Sequence, residues 1–264
     1  LAACAAAAGA GRPARVHLEL DTGMGRLGAR PEDVAALAEA ASAPGLEVAG
    51  FMTHFATADE TEGPNAGFMR EQLLRFRAAL PALRARFPGA VAHAANSAAT
   101  LREPGARLDM VRCGIALYGC SPFGTDPDDH GLRPVMAWHS HLALVKPLRS
   151  RESVGYGRTH LAARGTWLGI VPVGYADGYA RALSNRAAAL VGGRRVPVVG
   201  TVSMDLIALD LGPEAAEREG EGVVLLGRQG EERITAEDLA GWRDSISYEV
   251  TCAVGRRVPR VHAS

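Results

Sequence analysis

Lysine is almost missing from this chain: its 264 residues hold one, Lys146. Cysteine is scarce too. Cys4, Cys113, Cys120 and Cys252 are widely spaced and form no CxxC pair, which excludes a disulfide scaffold and a zinc site. They read as reduced thiols of a cytoplasmic protein with no bound metal. Neither sign of charge prevails, since 29 basic residues balance 29 acidic ones; this removes the electrostatic case for nucleic acid or an anionic membrane as partner. No apolar run reaches the length of a membrane span. The alanine-rich start, Leu1 to Gly11, lacks the basic leader of a signal peptide. The first residue is leucine rather than methionine, so the chain is expected to be a piece of a longer one.

What is present is ordinary for a folded soluble protein, 47% apolar and 22% charged. The first half alternates apolar runs with helical patterns. Val16 to Leu20, Leu46 to Phe55, Val91 to Asn96 and Leu108 to Tyr118 read as strands. Pro31 opens a helix with Val34, Leu37, Ala38 and Ala41 on one face. Met69, Leu73, Phe76 and Leu80 mark a longer amphipathic helix that Pro81 interrupts or ends. Such alternation predicts parallel strands covered by helices. From about Gly131 the rhythm changes to short β-rich runs: 142–148, 167–173, 187–191, 196–199, 206–211 and 223–226. Gly192-Gly193 signals a hairpin, and Thr235 caps one late helix ending near Trp242. The division expected is therefore 1–131, α/β, and 132–264, mostly antiparallel β.

Several short motifs carry chemistry. Asp21-Thr-Gly-Met-Gly-Arg26-Leu-Gly28 follows the first strand; it lacks dinucleotide-fingerprint spacing, and by itself it is a glycine-rich turn with an arginine. Downstream come Thr53-His54-Phe-Ala-Thr-Ala-Asp-Glu60, Ala95-Asn-Ser97-Ala-Ala-Thr100, and Asp109-Met-Val-Arg112-Cys-Gly114-Ile115-Ala-Leu-Tyr118-Gly119. Then follow Val154-Gly-Tyr156-Gly-Arg158-Thr159, Gly174-Tyr175-Ala-Asp-Gly178, Val202-Ser-Met204-Asp205, Tyr248-Glu249 and Arg257-Val-Pro-Arg260.

In order and spacing this set resembles the alanine racemase family from about residue 16 to 262. The resemblance implies an α/β fold: the second half of a (β/α)8 TIM-type barrel, followed by a mostly β C-terminal domain. It implies pyridoxal 5'-phosphate as cofactor, alanine as substrate, and a homodimer whose active sites are shared between subunits. The reaction implied interconverts L- and D-alanine by a two-base route through an imine of the cofactor, supplying D-alanine for peptidoglycan. A non-catalytic truncated homologue, or a racemase of another small amino acid such as serine, remains an alternative.

Roles follow residue by residue from the resemblance. Ser97, with the backbone of Gly114 and Ile115, matches the phosphate site. Arg112 matches the arginine facing the pyridine nitrogen, where a guanidinium keeps that nitrogen unprotonated. Tyr156 matches the tyrosine base given across the dimer, with the cofactor lysine on the other face of the α-carbon. Arg26 is expected to bind the substrate carboxylate, and Met204 beside Asp205 to close the pocket that Tyr175 lines. His93 is expected behind Arg112 or the tyrosine, and His54 near the cofactor; a core histidine is an equal alternative for both. Two positions depart from the family. Glu19 stands where many relatives have a carbamylated lysine, and could steady Arg26 directly. Arg256 stands where some relatives have a phosphate-contacting tyrosine. The N-terminal segment with the cofactor lysine is expected to be absent, which would leave the chain alone inactive.

Overall fold

The computed structural model describes residues 13–262. The chain divides into two compact units, residues 1–116 and 117–264.

In the first unit three strands, β1 (Ala14–Glu19), β2 (Leu46–Met52) and β3 (Val91–His93), run parallel in that order. Parallel neighbours need a crossover between them, and helices α1 (Val34–Ala41) and α2 (Phe68–Arg86) supply it. A short helix, α3 (Ser97–Arg102), follows β3. Along β1, Leu18 is buried, as is Leu20 just beyond it, while His17 and Glu19 point to the other face. A bulge at Val16/His17 shifts the register, so that His17 lies beside Gly50 and Glu19 beside Met52.

Two sequence expectations are corrected here. Helix α2 runs through Pro81 rather than being interrupted or ended there; Pro81 lies on its exposed side, away from the core. The run from Leu108 to Tyr118 is not a strand. The Asp109 carboxylate accepts the Ala92 N–H at 2.8 Å, a donor that ladder pairing would use. Met110 therefore makes only an isolated bridge to His93, and a 3-10 turn begins at Ile115.

The second unit is built on an eight-stranded antiparallel sheet. Its strands are β4 (Trp138–His141), β5 (Leu144–Leu148), β8 (Thr166–Val171), β9 (Ala188–Val191), β10 (Arg194–Val199), β11 (Ile207–Gly212), β12 (Gly222–Gln229) and β13 (Glu232–Ile234). The order is β13-β12-β9-β10-β11-β8-β5, with β4 also on β12. A separate ribbon pairs β6 (Ser153–Val154) with β7 (His160–Leu161). Gly192 and Gly193 turn between β9 and β10 with φ of 58° and 77°, the left-handed pair that a two-residue hairpin requires. Thr235 and Asp238 form a reciprocal capping box on helix α4 (Ala236–Trp242). Helix α5 (Ser247–Ala253), unforeseen in the sequence, carries Tyr248 and Glu249. Among the described residues no helix is long and apolar enough to cross a membrane.

Candidate active site

The parallel strands of the first unit deliver their side chains to a shared polar cluster centred on Arg112. Its Nη1 donates to Nδ1 of His93 at 2.8 Å and to the His93 carbonyl at 3.2 Å. Its Nη2 donates to the carbonyls of Thr53 at 2.9 Å and Ala94 at 3.3 Å, and to Nδ1 of His54 at 3.2 Å. The Nε–H alone has no hydrogen-bond partner among the described residues. A guanidinium has only protons to give. Both histidines must therefore accept at Nδ1, which puts the single proton of each neutral ring on Nε2. Burial, then the Arg112 charge, then His17 push His93 down to about 4. Burial, Arg112 and Arg26 likewise lower His54. Arg112 itself is lowered by burial, while the charge of Glu19 opposes this.

Around this cluster the strand ends are pinned. Gln72 of α2, fully buried, donates to the His54 carbonyl at 3.0 Å and accepts the Ala56 N–H at 2.9 Å. Thr22 and Thr53 share a hydrogen bond of 2.7 Å. The loop bearing Arg26 is closed by Asp21, whose carboxylate accepts the N–H groups of Gly23 and Gly25, each at 3.0 Å. Those bonds, Gly25 first, draw Asp21 below the ordinary carboxylate range. Gly28, at φ 105°, packs so tightly that a Cβ would lie 2.8 Å from the Asp21 nitrogen. Arg26 stands exposed on this loop, within electrostatic reach of His54. The charge of Glu19, the residue expected to steady Arg26, acts on Arg112; Glu19 stands in one cross-strand row with Met52 and His93.

Beside the cluster, Ser97 Oγ is buried and accepts the N–H of Gly114 at 3.0 Å and of Ala116 at 3.3 Å. Gly114 was foreseen as a phosphate contact and Ala116 was not. Ile115, also foreseen, is buried between them.

The second unit holds the other foreseen residues on exposed loops. Tyr156 follows Gly155 and precedes Gly157, both at positive φ, and its side chain is 75% exposed. Thr201 Oγ1 donates to the Tyr156 carbonyl at 2.9 Å. Tyr156 lines a cleft of about 500 Å³ with Lys146, Thr201, Ser203 and Leu206; Leu148, Val154 and Leu168 of the apolar cluster beneath also line it. The loops of Tyr175 and Met204 are tied together, Tyr175 N–H to the Ser203 carbonyl and Ala176 N–H to the Met204 carbonyl, each at 3.0 Å. Arg257 binds Asp177 on one of these loops and Asp205 on the other. The sequence motifs named all three residues but not their contact. Among the described residues no cluster of His, Cys, Asp and Glu could hold a metal.

Two family models match: "Alanine racemase, N-terminal domain" over residues 1–122 and "Alanine racemase, C-terminal domain" over 135–262. The chain is 48% identical over 254 residues to the alanine racemase of Symbiobacterium thermophilum, covering 96% of this chain and 67% of that protein. The chain belongs to the alanine racemase family. The alanine racemase of Chlorobaculum tepidum is 43% identical, across 97% of this chain and 65% of its own length. Among solved structures, an alanine racemase from D-cycloserine-producing Streptomyces lavendulae superposes with a TM-score of 0.91 at 42% identity, covering 98% of this chain and 69% of that one. One from Pseudomonas aeruginosa gives 0.86 at 37%, covering 98% and 70%. The fold is that of these racemases, a parallel barrel part with a β C-terminal domain.

The chain spans about two thirds of the length of the curated relatives it matches. The family's N-terminal domain is present in residues 1–122, which corrects the expectation of a missing N-terminal segment. Lysine is what those residues lack, the single lysine being Lys146.

Proposed function

We infer that the chain serves a pyridoxal 5'-phosphate-dependent racemase that interconverts L- and D-alanine. The observation that carries this is the state of Arg112: both terminal nitrogens are consumed by neutral acceptors, and one donor, Nε–H, is left over. That is the group a pyridine nitrogen needs if it is to accept a hydrogen bond without being protonated. Ser97 Oγ accepts the Gly114 and Ala116 N–H groups and keeps its own hydroxyl proton to donate, the kind of donor that suits a phosphate. The donor set therefore fits the cofactor. When bound, the cofactor takes up the amino group of the amino acid and draws electrons from its Cα–H bond.

The chain's own residues do the rest. Arg112 withholds a proton from the ring, so electron withdrawal stays moderate and a proton returns quickly to the same carbon. Arg26 binds the substrate carboxylate. Tyr156 moves a proton at the α-carbon from one face. The exposure of Tyr156, Tyr175 and Met204, in a unit that holds none of the cofactor-directed groups, supports their service to the first unit of a second copy in a homodimer. A wall of tyrosine and methionine suits a methyl side chain. We assign the cytoplasm, where Cys113, Cys120 and Cys252 would stay unpaired.

A covalent cofactor link needs an amine, and the one lysine lies on β5 of the second unit. These 264 residues alone are therefore expected to bind the cofactor without that link, and to produce no D-alanine. Proton exchange through Tyr156 should survive. In D2O with pyridoxal 5'-phosphate, the chain should exchange the α-hydrogen of one alanine enantiomer faster than free cofactor does, and Tyr156→Phe should abolish the gain. Equal exchange of both enantiomers at the rate of free cofactor, or an unaffected Tyr156→Phe variant, would overturn the reading.

A further inference from the structure

His93 is buried, 2% exposed, and only one of its nitrogens is occupied by Arg112. The other, Nε2, carries the proton, and 2.6 Å away lies Nδ1 of His17. The two rings meet edge to face with centroids 4.8 Å apart. His17 and His93 are on β1 and β3, with all of β2 between them. The residue of β2 over which the His17 ring leans is Gly50, and a Cβ built there would lie 2.6 Å from His17 Nδ1 and 2.7 Å from Cε1. The bulge at Val16/His17 brings His17 level with Gly50. An open position in the middle strand, a register shift in the first and a short ring-to-ring contact thus converge on one arrangement.

We propose that His17 is a positioning residue for Arg112, acting through His93. His17 Nδ1 accepts the Nε2–H of His93, and this leaves His93 Nδ1 as a fixed, enriched acceptor for the guanidinium. A hydrogen bond accepted at one end of a neutral imidazole chain strengthens the one accepted at the next. The order of donation is one-way, Arg112 to His93 to His17, because the guanidinium cannot accept. Without His17, the His93 N–H is left unpaired inside the unit, which disfavours this ring orientation. The His93 ring then gains by rotating, and Arg112 loses the acceptor that aims its free Nε–H. Charged and titratable groups near the chain are Glu19 from β1, His54 beyond β2, and Asp109 against β3. The consequence for the cofactor rests on the function inferred above, whereas the ring-to-ring bond does not.

The test uses the 264-residue chain and NMR of its imidazole and guanidinium groups without cofactor. His93 should show a strongly deshielded, slowly exchanging Nε2–H and a pyridine-like Nδ1, and Arg112 should show slowly exchanging Nη protons. His17→Leu should lose the deshielded proton and speed the Arg112 exchange. In His17→Asn the amide oxygen takes the place of Nδ1 and should restore both signals; in His17→Gln it sits one bond too far and should not. Gly50→Ala should mimic His17→Leu by displacing the ring. With pyridoxal 5'-phosphate, equilibrium dialysis should show several-fold weaker binding for the leucine variant than for the asparagine one. The proposal is overturned if His17→Leu leaves the His93 and Arg112 signals as in the parent, or if asparagine does no better than leucine. Failure of dialysis alone, with the NMR pattern intact, would instead count against the cofactor reading.

Discussion

Arg257 grips Asp177 with two prongs, Nε to Oδ1 at 2.6 Å and Nη2 to Oδ2 at 3.0 Å. The same Nη2 reaches Asp205 on the neighbouring loop. This one guanidinium therefore ties together the loops that present Tyr175 and Met204. Lysine, a point charge without the fork, can hold one carboxylate but not both in this plane. Arg257→Lys should speed hydrogen exchange at the Tyr175 and Ala176 amides, which bridge the two loops, and leave the β9–β10 hairpin amides unchanged. Unaltered exchange at both loop amides would sink the clamp.

Gly28→Ala should destabilise the first unit by on the order of 2 kcal/mol. Its φ of 105° and the 2.8 Å approach to the Asp21 nitrogen both forbid a side chain. Denaturant unfolding would show this as a lower midpoint at unchanged slope; a midpoint equal to the parent's would contradict it.

Arg112→Gln should raise the titration points of His54 and His93, because the cation that opposes their protonation is gone. Burial is the larger cause for both, so both should remain below the ordinary histidine range. An NMR titration of the imidazole carbons checks this, and unmoved titration points would show that Arg112 does not face the rings.

Glu237 is buried in α4, accepts the Ser121 N–H at 2.7 Å, and leaves Oε2 without a partner. Burial, the largest cause, raises its carboxyl above 4.5. The folded state therefore holds this proton more tightly than the unfolded chain does. The group's contribution is most favourable below the unfolded value and is lost as pH rises through the folded one. Glu237→Gln, which mimics the protonated form, should melt higher than the parent at pH 7, with the gap closing on acidification toward pH 4. A constant gap across that range would disprove the assignment.

The strands of the second unit were legible because antiparallel β declares itself locally, as in the paired glycines at 192–193; the helix after them was legible from its cap at Thr235. Helix α5 was not, since Ser247–Ala253 offers no side-chain cap and buries only Ser247 and Val250. Leu108 to Tyr118 misled because its apolar pattern is that of a strand, whereas the Asp109 side chain takes the backbone donor a strand would need. At the site, motif residues such as Arg112, Ser97 and Tyr156 could be picked out because their motifs resemble those of the alanine racemase family. His17, Gln72 and Ala116 could not. His17 matters only because a glycine stands on another strand, and no one-dimensional pattern joins positions 17, 50 and 93.

The solitary lysine gives the molecule a built-in address. An amine-directed fluorophore would find one side chain, Lys146, exposed on the wall of the cleft that Tyr156 lines. Whatever settles over that cleft would announce itself as a change in the colour or polarisation of the dye on Lys146, told apart from dye on the terminal amine by a Lys146→Arg variant.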